Sequence, residues 1–332
     1  MAQRVIPVYG DREALAYTAV RMQKSYAVLE RVLQEIQRRR PTFAPESILD
    51  FGSGPGTAFH VAWRLWSNSI QHMQGVDLSE SMNMVAMRLL ELAQDQDDED
   101  KSSQVVPPLD KISLRRHLSL QHHRDRHDVV VSAFCLNELP SDAAQALVIK
   151  TLWERTRKTL VLIEDGTPEG FRTIVNARHF LLDLEQNQRS SRNEGGIRIL
   201  APCPHHQVCP LVDRQLSWCH FKVRSVMNSE AQKVMASKTN TQLHDFSYIV
   251  LERPGDAQQK NAEDVLEGKP RVLWESTKAP KRVMMRVCAK DGLKKLFVGK
   301  PDLPQHFKDA RKISWGDVWP HPYSREEEWN PK

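Results

Sequence analysis

Apolar positions along the first half of the chain follow two alternating rhythms. Over residues 11–39 they return every three or four places, so that Leu29, Val32, Leu33 and Ile36 share one face of a helix that Pro41 ends. The rhythm then shortens. Ser47–Phe51 is a brief apolar strand that runs into a glycine turn, and a helix bearing Phe59, Val61, Ala62, Leu65 and Trp66 follows it. A second strand ends at Gly75-Val76-Asp77, a second helix covers 79–94, and 95–100 is an acidic, solvated loop. His127-Asp128 leads into a β-branched run over 129–134, which predicts a strand buried on both faces. A helix over 141–156 and a strand over 159–163 come next. Strand and helix in alternation predict an α/β fold built on a doubly wound parallel sheet.

Beyond residue 185 the rhythm breaks. Residues 186–218 carry no clear period, and they contain Gly195-Gly196 and the closely spaced Pro202, Pro204 and Pro210. Two further apolar runs, 217–226 and 245–255, predict an antiparallel pair that completes the sheet. The cysteine-rich segment, 186–222, therefore reads as an insertion just before the closing hairpin. Residues 255–270 resemble a linker, and 271–276, 282–290 and 293–299 predict strands of a small β module. Two domains follow, 1–255 and 256–332, with no internal repeat.

Composition narrows the class. Of 332 residues, 40% are hydrophobic and 27% charged, the usual balance of a globular chain with an ample core. No stretch approaches the roughly 20 apolar residues of a membrane-spanning helix, which predicts no membrane insertion. A net charge of +5 is compatible with a polyanionic partner without demanding one. The five cysteines are clustered, and the chain far exceeds the size of secreted disulfide scaffolds. The first twenty residues have no apolar signal core, and their acidic residues and scarce serine do not read as an organelle presequence. A presequence already removed is compatible with that start.

The glycine turn is the first candidate site. Asp50, Gly52, Ser53, Gly54 and Gly56 lie between a strand and a helix, where glycines let backbone approach a ligand. Asp77 follows about twenty residues on, the usual place for a carboxylate that grips ribose hydroxyls. The acidic first residue, with no third glycine at dinucleotide spacing, resembles S-adenosylmethionine sites more than NAD sites. In that resemblance the glycines face the amino-acid part of the cofactor, Asp77 holds the ribose, and Leu78, Ser79 and Met82 lie near the adenine. The same glycines would also serve tight strand–helix packing alone. For catalysis the candidates are Asn137 and Glu138, after the fourth strand. Amino-methylating enzymes of this fold often carry two prolines and an aromatic there, and Leu139-Pro140 does not complete that pattern. A turn-capping Asn137 and a solvated Glu138 explain those residues equally well, and Cys135 reads as core.

Cys203, Cys209, Cys219 and Cys288 form the second candidate site. Thiolates hold zinc or iron–sulfur clusters. Structural zinc usually shows close pairs of cysteines, whereas steps of five, nine and a distant fourth suit a cluster's wider perimeter. His205, His206 and His220 are substitute ligands that keep zinc open, and unrelated buried thiols are the plain alternative. Pro204 and Pro210 each follow a cysteine and stiffen the loop. A third feature is the basic tail, with Lys290, Lys294, Lys295, Lys308, Arg311 and Lys312 among aromatics at Phe297, Phe307, Trp315 and Trp319. Such cations neutralise phosphates and aromatics stack on unpaired bases; a solvated β surface over a core of those aromatics is the alternative.

Taken together, the segments 26–58, 131–140, 164–171, 201–210, 246–253 and 310–320 resemble the mitochondrial small-subunit family of methyltransferase-like proteins. The resemblance spans nearly the whole chain. It implies an S-adenosylmethionine-methyltransferase-like fold, a [4Fe–4S] cluster on Cys203, Cys209, Cys219 and Cys288, and residence in the mitochondrial matrix. It implies small-subunit rRNA and mitochondrial ribosomal proteins as partners, in the role of an assembly factor. An active rRNA methyltransferase and a zinc-stabilised protein-binding module are the competing expectations.

Overall fold

The protein is described by a computed structural model over residues 7–97, 106–118, 125–189, 196–214, 216–227, 229–234, 236–253, 264 and 266–331. Its first half contains α1 (Asp11–Arg39), β1 (Ser47–Phe51), α2 (Thr57–Trp66), β2 (His72–Val76), α3 (Glu80–Asp97), β3 (Ile112–Arg115) and β4 (His127–Ala133). Then come α4 (Asp142–Arg155), β5 (Thr156–Asp165), α5 (Pro168–Arg189), β6 (Arg198–Ala201), β7 (Phe221–Val226), α6 (Ser229–Val234) and β8 (Thr241–Glu252).

These strands form one sheet in the order β3-β2-β1-β4-β5-β8-β6, with β7 also paired to β8. The five strands from β3 to β5 are parallel, and β8 runs antiparallel to β5. The order reverses between β1 and β4, which opens a crevice at the carboxyl ends of those strands. This is the expected methyltransferase-like α/β fold, with a mixed rather than purely parallel sheet. Alternate residues of the central strands enter opposite layers. Ile48, Val129, Val131, Val161 and Ile163 pack under α1 and α2, while Leu49, Val130, Leu160 and Leu162 meet α4 and α5. Burial on both faces explains why these strands read as unbroken apolar runs.

Several elements lie where no period was visible. The acidic 95–100 run begins as the last turn of α3, through Asp97, and its remainder falls outside the described residues. The aperiodic 186–222 stretch contains the end of α5 and all of β6, so the cysteine segment is narrower than expected: it is the connection from β6 to β7. Helix α5 hides its stripe because Arg178, 2% exposed, occupies an inward position between Val175 and Leu181. Gly195 lies outside the described residues, as does most of the 255–270 linker; within that linker Asp264 is buried and paired with Arg39.

The C-terminal module contains β9 (Arg271–Val272), β10 (Thr277–Ala279), β11 (Arg282–Ala289), β12 (Gly292–Gly299), α7 (Pro304–Lys312) and β13 (Arg325–Glu328). Its sheet runs β10-β11-β12-β13, with β9 on β11. Val283, Met285, Val287, Leu296 and Val298 face α7 and its flanking Phe307, Ile313 and Trp319. The opposite face presents Cys288 and Leu293, paired across β11 and β12, to the core of the larger sheet. Module and main sheet thus share a buried seam. Among the described residues no helix is long and apolar enough to cross a membrane.

Candidate functional site

The glycine turn does line a cavity, of about 590 Å³, at the carboxyl ends of β1 and β4. Gly52 has φ +73, and a Cβ there would lie 2.6 Å from the Cβ of Cys135, so both backbone and space demand glycine. Gly54 donates its backbone N–H to Asp77 Oδ2 at 2.8 Å, and Ser79 N–H donates to Asp77 Oδ1 at 2.9 Å. The carboxylate is therefore fixed in orientation, with lone pairs left toward the cavity. Gly52, Gly54, Asp77, Leu78, Ser79 and Met82 all line that space. Asp50, Ser53 and Gly56 lie behind it, buried under the turn.

Sequence reasoning missed the roof. Tyr9 O accepts from Ser79 Oγ at 2.7 Å, and Tyr9 Oη donates to Glu138 Oε1 at 2.8 Å. Asp11 accepts from Ser81 Oγ at 2.6 Å, so the first residue of α1 and the chain before it strap the cavity mouth from three points. Phe134 lies in the wall with φ +61, a costly backbone for a bulky residue, and the Lys24 ammonium sits 5.0 Å from its ring centre. Neither feature has a pattern in the sequence.

Of the two candidate catalytic residues, Glu138 lines this cavity beside Tyr9 and Asn137 does not, and both side chains are hydrogen-bonded. Asn137 Oδ1 accepts from Thr173 Oγ1 of α5 at 2.6 Å, and Glu138 holds Tyr9. Cys135, with Sγ 3.0 Å from Ser132 Oγ and 3.3 Å from Phe51 O, has its thiol pushed well up by burial, unlike a nucleophile. Glu164, pushed up to about 8 by burial, accepts from Leu136 N–H at 2.8 Å and so shapes the turn that carries Asn137.

Asp50 is pushed up to about 7, first by burial and then by the neighbouring Asp77 charge. Its folded form therefore keeps a proton that the unfolded chain releases near pH 4. Stability contributed at this position is lost as pH rises from about 4 to 7 and stays lost above. Asp50→Asn is expected to stabilise the protein by roughly 1–3 kcal/mol at pH 8 and to change nothing at pH 4. Urea unfolding at the two pH values measures this; equal effects at both would refute it.

The four cysteines, scattered in sequence, line one small cavity together with His205, Arg271 and Leu273. The β6–β7 connection is tied down along its length. Arg271 Nε donates to Pro202 O at 3.2 Å, Arg178 Nη2 donates to His205 O at 3.1 Å, and Ser247 Oγ donates to Cys219 O at 2.8 Å. Burial pushes the Cys209 thiol up to about 12, and the charge of Cys203 adds to it. Cys219 and Cys288 are raised by burial and then by the other cysteines, so the thiols sit within electrostatic reach of one another. Of the three candidate histidines only His205 reaches the cavity, with Nε2 3.3 Å from Cys288 Sγ. His206 Nε2 accepts from Ile199 N–H, and His220 packs between Trp218 and Trp315.

Two observations bear on what the cavity suits. Arg178 is buried beside it with Nε and Nη1 unpartnered among the described residues, and its charge favours the thiolates of Cys209 and Cys288. A buried guanidinium without a carboxylate is expensive unless an anion lies near, and four thiolates around a metal centre supply one. The second observation is size: the space between the thiols is about 20 Å³, room for about one water-sized group.

The tail residues divide. Lys308, Arg311 and Lys312 lie on the exposed side of α7, and Lys290 is exposed in the β11–β12 turn. Lys295 is half-buried opposite Glu327. Lys294 is engaged by Asp291 at 2.5 Å and Glu326 at 2.8 Å, hydrogen bonds that raise its pKa. The aromatics do not serve as stacking platforms as a group: Phe307 and Trp319 are core, Trp315 stacks on Trp274, and Phe297 lies under Arg282 and Arg325.

The family model described as "Mitochondrial small ribosomal subunit Rsm22" matches residues 11–320. The human protein named "Ribosome assembly protein METTL17, mitochondrial" is 30% identical over 94% of this chain and 63% of its own length. In Saccharomyces cerevisiae, "Ribosome assembly protein RSM22, mitochondrial" is 22% identical over 94% of the chain and 68% of its length. The chain thus spans about three fifths of the human relative, and 43% of a fission-yeast relative named "Rsm22-cox11 tandem protein 2, mitochondrial". Among solved structures, an S-adenosylmethionine-dependent methyltransferase from Aquifex aeolicus has a TM-score of 0.39 and 11% identity, covering 74% of this chain and 99% of that one. The chain belongs to the Rsm22 family.

Proposed function

We propose that this member of the Rsm22 family is a mitochondrial assembly factor for the small ribosomal subunit. In this reading it contacts rRNA with its basic module, and Cys203, Cys209, Cys219 and Cys288 hold a [4Fe–4S] cluster that clamps the module to the methyltransferase-like sheet. The names of the human and budding-yeast relatives support the assembly role. The observation that carries the clamp is the convergence of three cysteines from the β6–β7 connection and one from β11 on a single cavity at the seam. The unpartnered Arg178 supports an anionic thiolate centre at this cavity, a charge that a cluster and zinc would supply alike. Such a cluster supplies a cross-link between segments far apart in sequence, so binding and folding of the seam are coupled.

S-adenosylmethionine fits the first cavity, where Asp77 faces the ribose position and the glycine turn accommodates the amino-acid end. An rRNA methyltransferase is the second reading, favoured by that formed cavity. Against it stand the engaged side chains of Asn137 and Glu138. Methylation mapping of rRNA in cells carrying Gly54→Arg separates the two: an unchanged map with impaired subunit assembly supports the assembly reading.

Capture of the tagged protein from mitochondria is expected to enrich small-subunit rRNA and ribosomal proteins. Reversing charge on α7 with Lys308→Glu, Arg311→Glu and Lys312→Glu is expected to lower RNA affinity roughly tenfold or more at physiological salt and to flatten its salt dependence. Unchanged binding by that variant would remove the basic helix from the interface, and recovery of no small-subunit component would sink the assembly reading.

A further inference from the structure

A second donor set lies in the module, away from the cysteines. His306 and Asp309 stand one turn apart on α7, and His321 comes from the chain that leaves the helix and folds back over it. Their ligand atoms all lie within 4.8 Å of one another. His321 Nε2 is 3.6 Å from Asp309 Oδ2, and the His306 and His321 rings stack with centroids 4.6 Å apart at 22°.

The position of His321 is not left to solvent. Trp319, 1% exposed, meets the imidazole edge-on at 4.9 Å, and its indole N–H donates to Pro322 O at 3.3 Å, which closes the turn carrying His321. Trp319 N–H also donates to Pro270 O at 2.8 Å. One ligand thus rests on a buried anchor and the other two on a helix.

We propose that His306, Asp309 and His321 form a binding site for a first-row divalent transition metal, with Zn2+ as the natural probe. Two imidazoles and one carboxylate suit such an ion, whereas Ca2+ and Mg2+ select all-oxygen sets. Ligands at about 2.0–2.1 Å from a tetrahedral ion stand about 3.3–3.4 Å apart. Closure from within 4.8 Å is therefore a side-chain adjustment, and three protein ligands leave a fourth position for water. The consequence is mechanical. Gly316, in the segment that the site would fasten to α7, accepts through its carbonyl from Arg271 Nη1 at 2.7 Å and from Arg31 Nη2 at 3.3 Å. A metal here braces the module's contact with α1, independently of the cysteine centre and of the assembly reading.

The full chain, purified anaerobically with its cysteine centre intact, is titrated with Zn2+ and separately with Co2+. One added ion per chain is expected. Bound Co2+ should show weak visible bands without the intense near-ultraviolet charge transfer of thiolate ligation. His306→Ala and His321→Ala should each weaken Zn2+ binding by roughly 10–100-fold or more, and Asp309→Asn by about tenfold. His306 is half-exposed, so His306→Gln serves as a second variant that keeps a polar surface and the fold. Binding that survives the histidine variants, a thiolate-type Co2+ spectrum, or no added ion at all would each overturn the site.

Discussion

Cys288→Ser is expected to bleach the anaerobically purified protein, abolishing most of a broad absorbance near 400 nm (roughly, for thiolate-bound iron–sulfur). Cys288 is the telling ligand because the other three sit in one connection, whereas it lies 69 positions beyond Cys219 in β11 of the module. Its side chain is 7% exposed and joins the core of the larger sheet with Leu273 and Leu293. Removing it cuts the cross-link at the seam, so the module should loosen while the main sheet stays folded. A loss of about 3–5 kcal/mol, as for other lost structural ligands or buried networks, corresponds to a fall in melting temperature of roughly 5–15 °C for a chain of this size. Hydrogen exchange should quicken in β11 and β12 and remain slow in β1, β4 and β5. A colourless wild-type protein carrying one zinc would replace the cluster by a zinc clamp. A coloured Cys288→Ser protein with native exchange would remove Cys288 from the ligand set.

Much of this architecture was legible because buried parallel strands leave a simple trace. Ile48–Leu49 and Val129–Val131 are apolar at every position because the sheet is covered on both faces, and the glycine turn announced where the order of strands reverses. That the four cysteines meet was legible for a different reason: three of them cluster in one aperiodic segment with prolines behind two, and all four line one cavity. What stayed hidden depends on contacts across the chain. Arg178 occupies an apolar slot of α5 because the cysteine connection needs its guanidinium, and that need erased the helix's own period. The Tyr9 strap and the strained Phe134 arise from the meeting of α1 with the β4 end, which no local pattern encodes. The tail misled in part. Its cations are real surface charge on α7, but Phe307 and Trp319 alternate with them because one side of each element faces the module's own core.

Glu35→Gln is expected to destabilise the protein by about 3–5 kcal/mol at pH 7, the scale of breaking a buried ion pair from one side. Glu35 lies on α1, Arg271 on β9, and both are buried. Arg271 Nη1 donates to Glu35 Oε2 at 3.1 Å and Nη2 donates to Oε1 in a two-pronged pair, while Tyr248 Oη of β8 adds a bond to Oε2 at 2.9 Å. Arg39 Nε donates to Oε1 at 3.1 Å and passes the network on to Asp264. Three distant segments, α1, β8 and β9, therefore meet at one carboxylate, and Asp264 joins through Arg39. Burial alone would raise its pKa; the charge and hydrogen bonds of Arg271, with Arg39 and Arg31 behind them, outweigh that and hold it down at about 2. An unfolded glutamate titrates near 4.3. The network's contribution is accordingly present above about pH 4.3 and is lost as pH falls toward 2, because the unfolded chain takes up the proton first. Glu35→Gln should flatten that acid limb of the stability curve, which guanidinium unfolding between pH 3 and pH 7 resolves. The reverse change, Arg271→Met with Glu35→Leu, replaces the pair by apolar bulk and should recover most of the lost stability. Arg271 Nε also holds Pro202 at the head of the cysteine connection, so the double variant separates two roles. If stability returns while cluster retention does not, the guanidinium's duty is to set the cage; if both return, its duty is only to fill the seam.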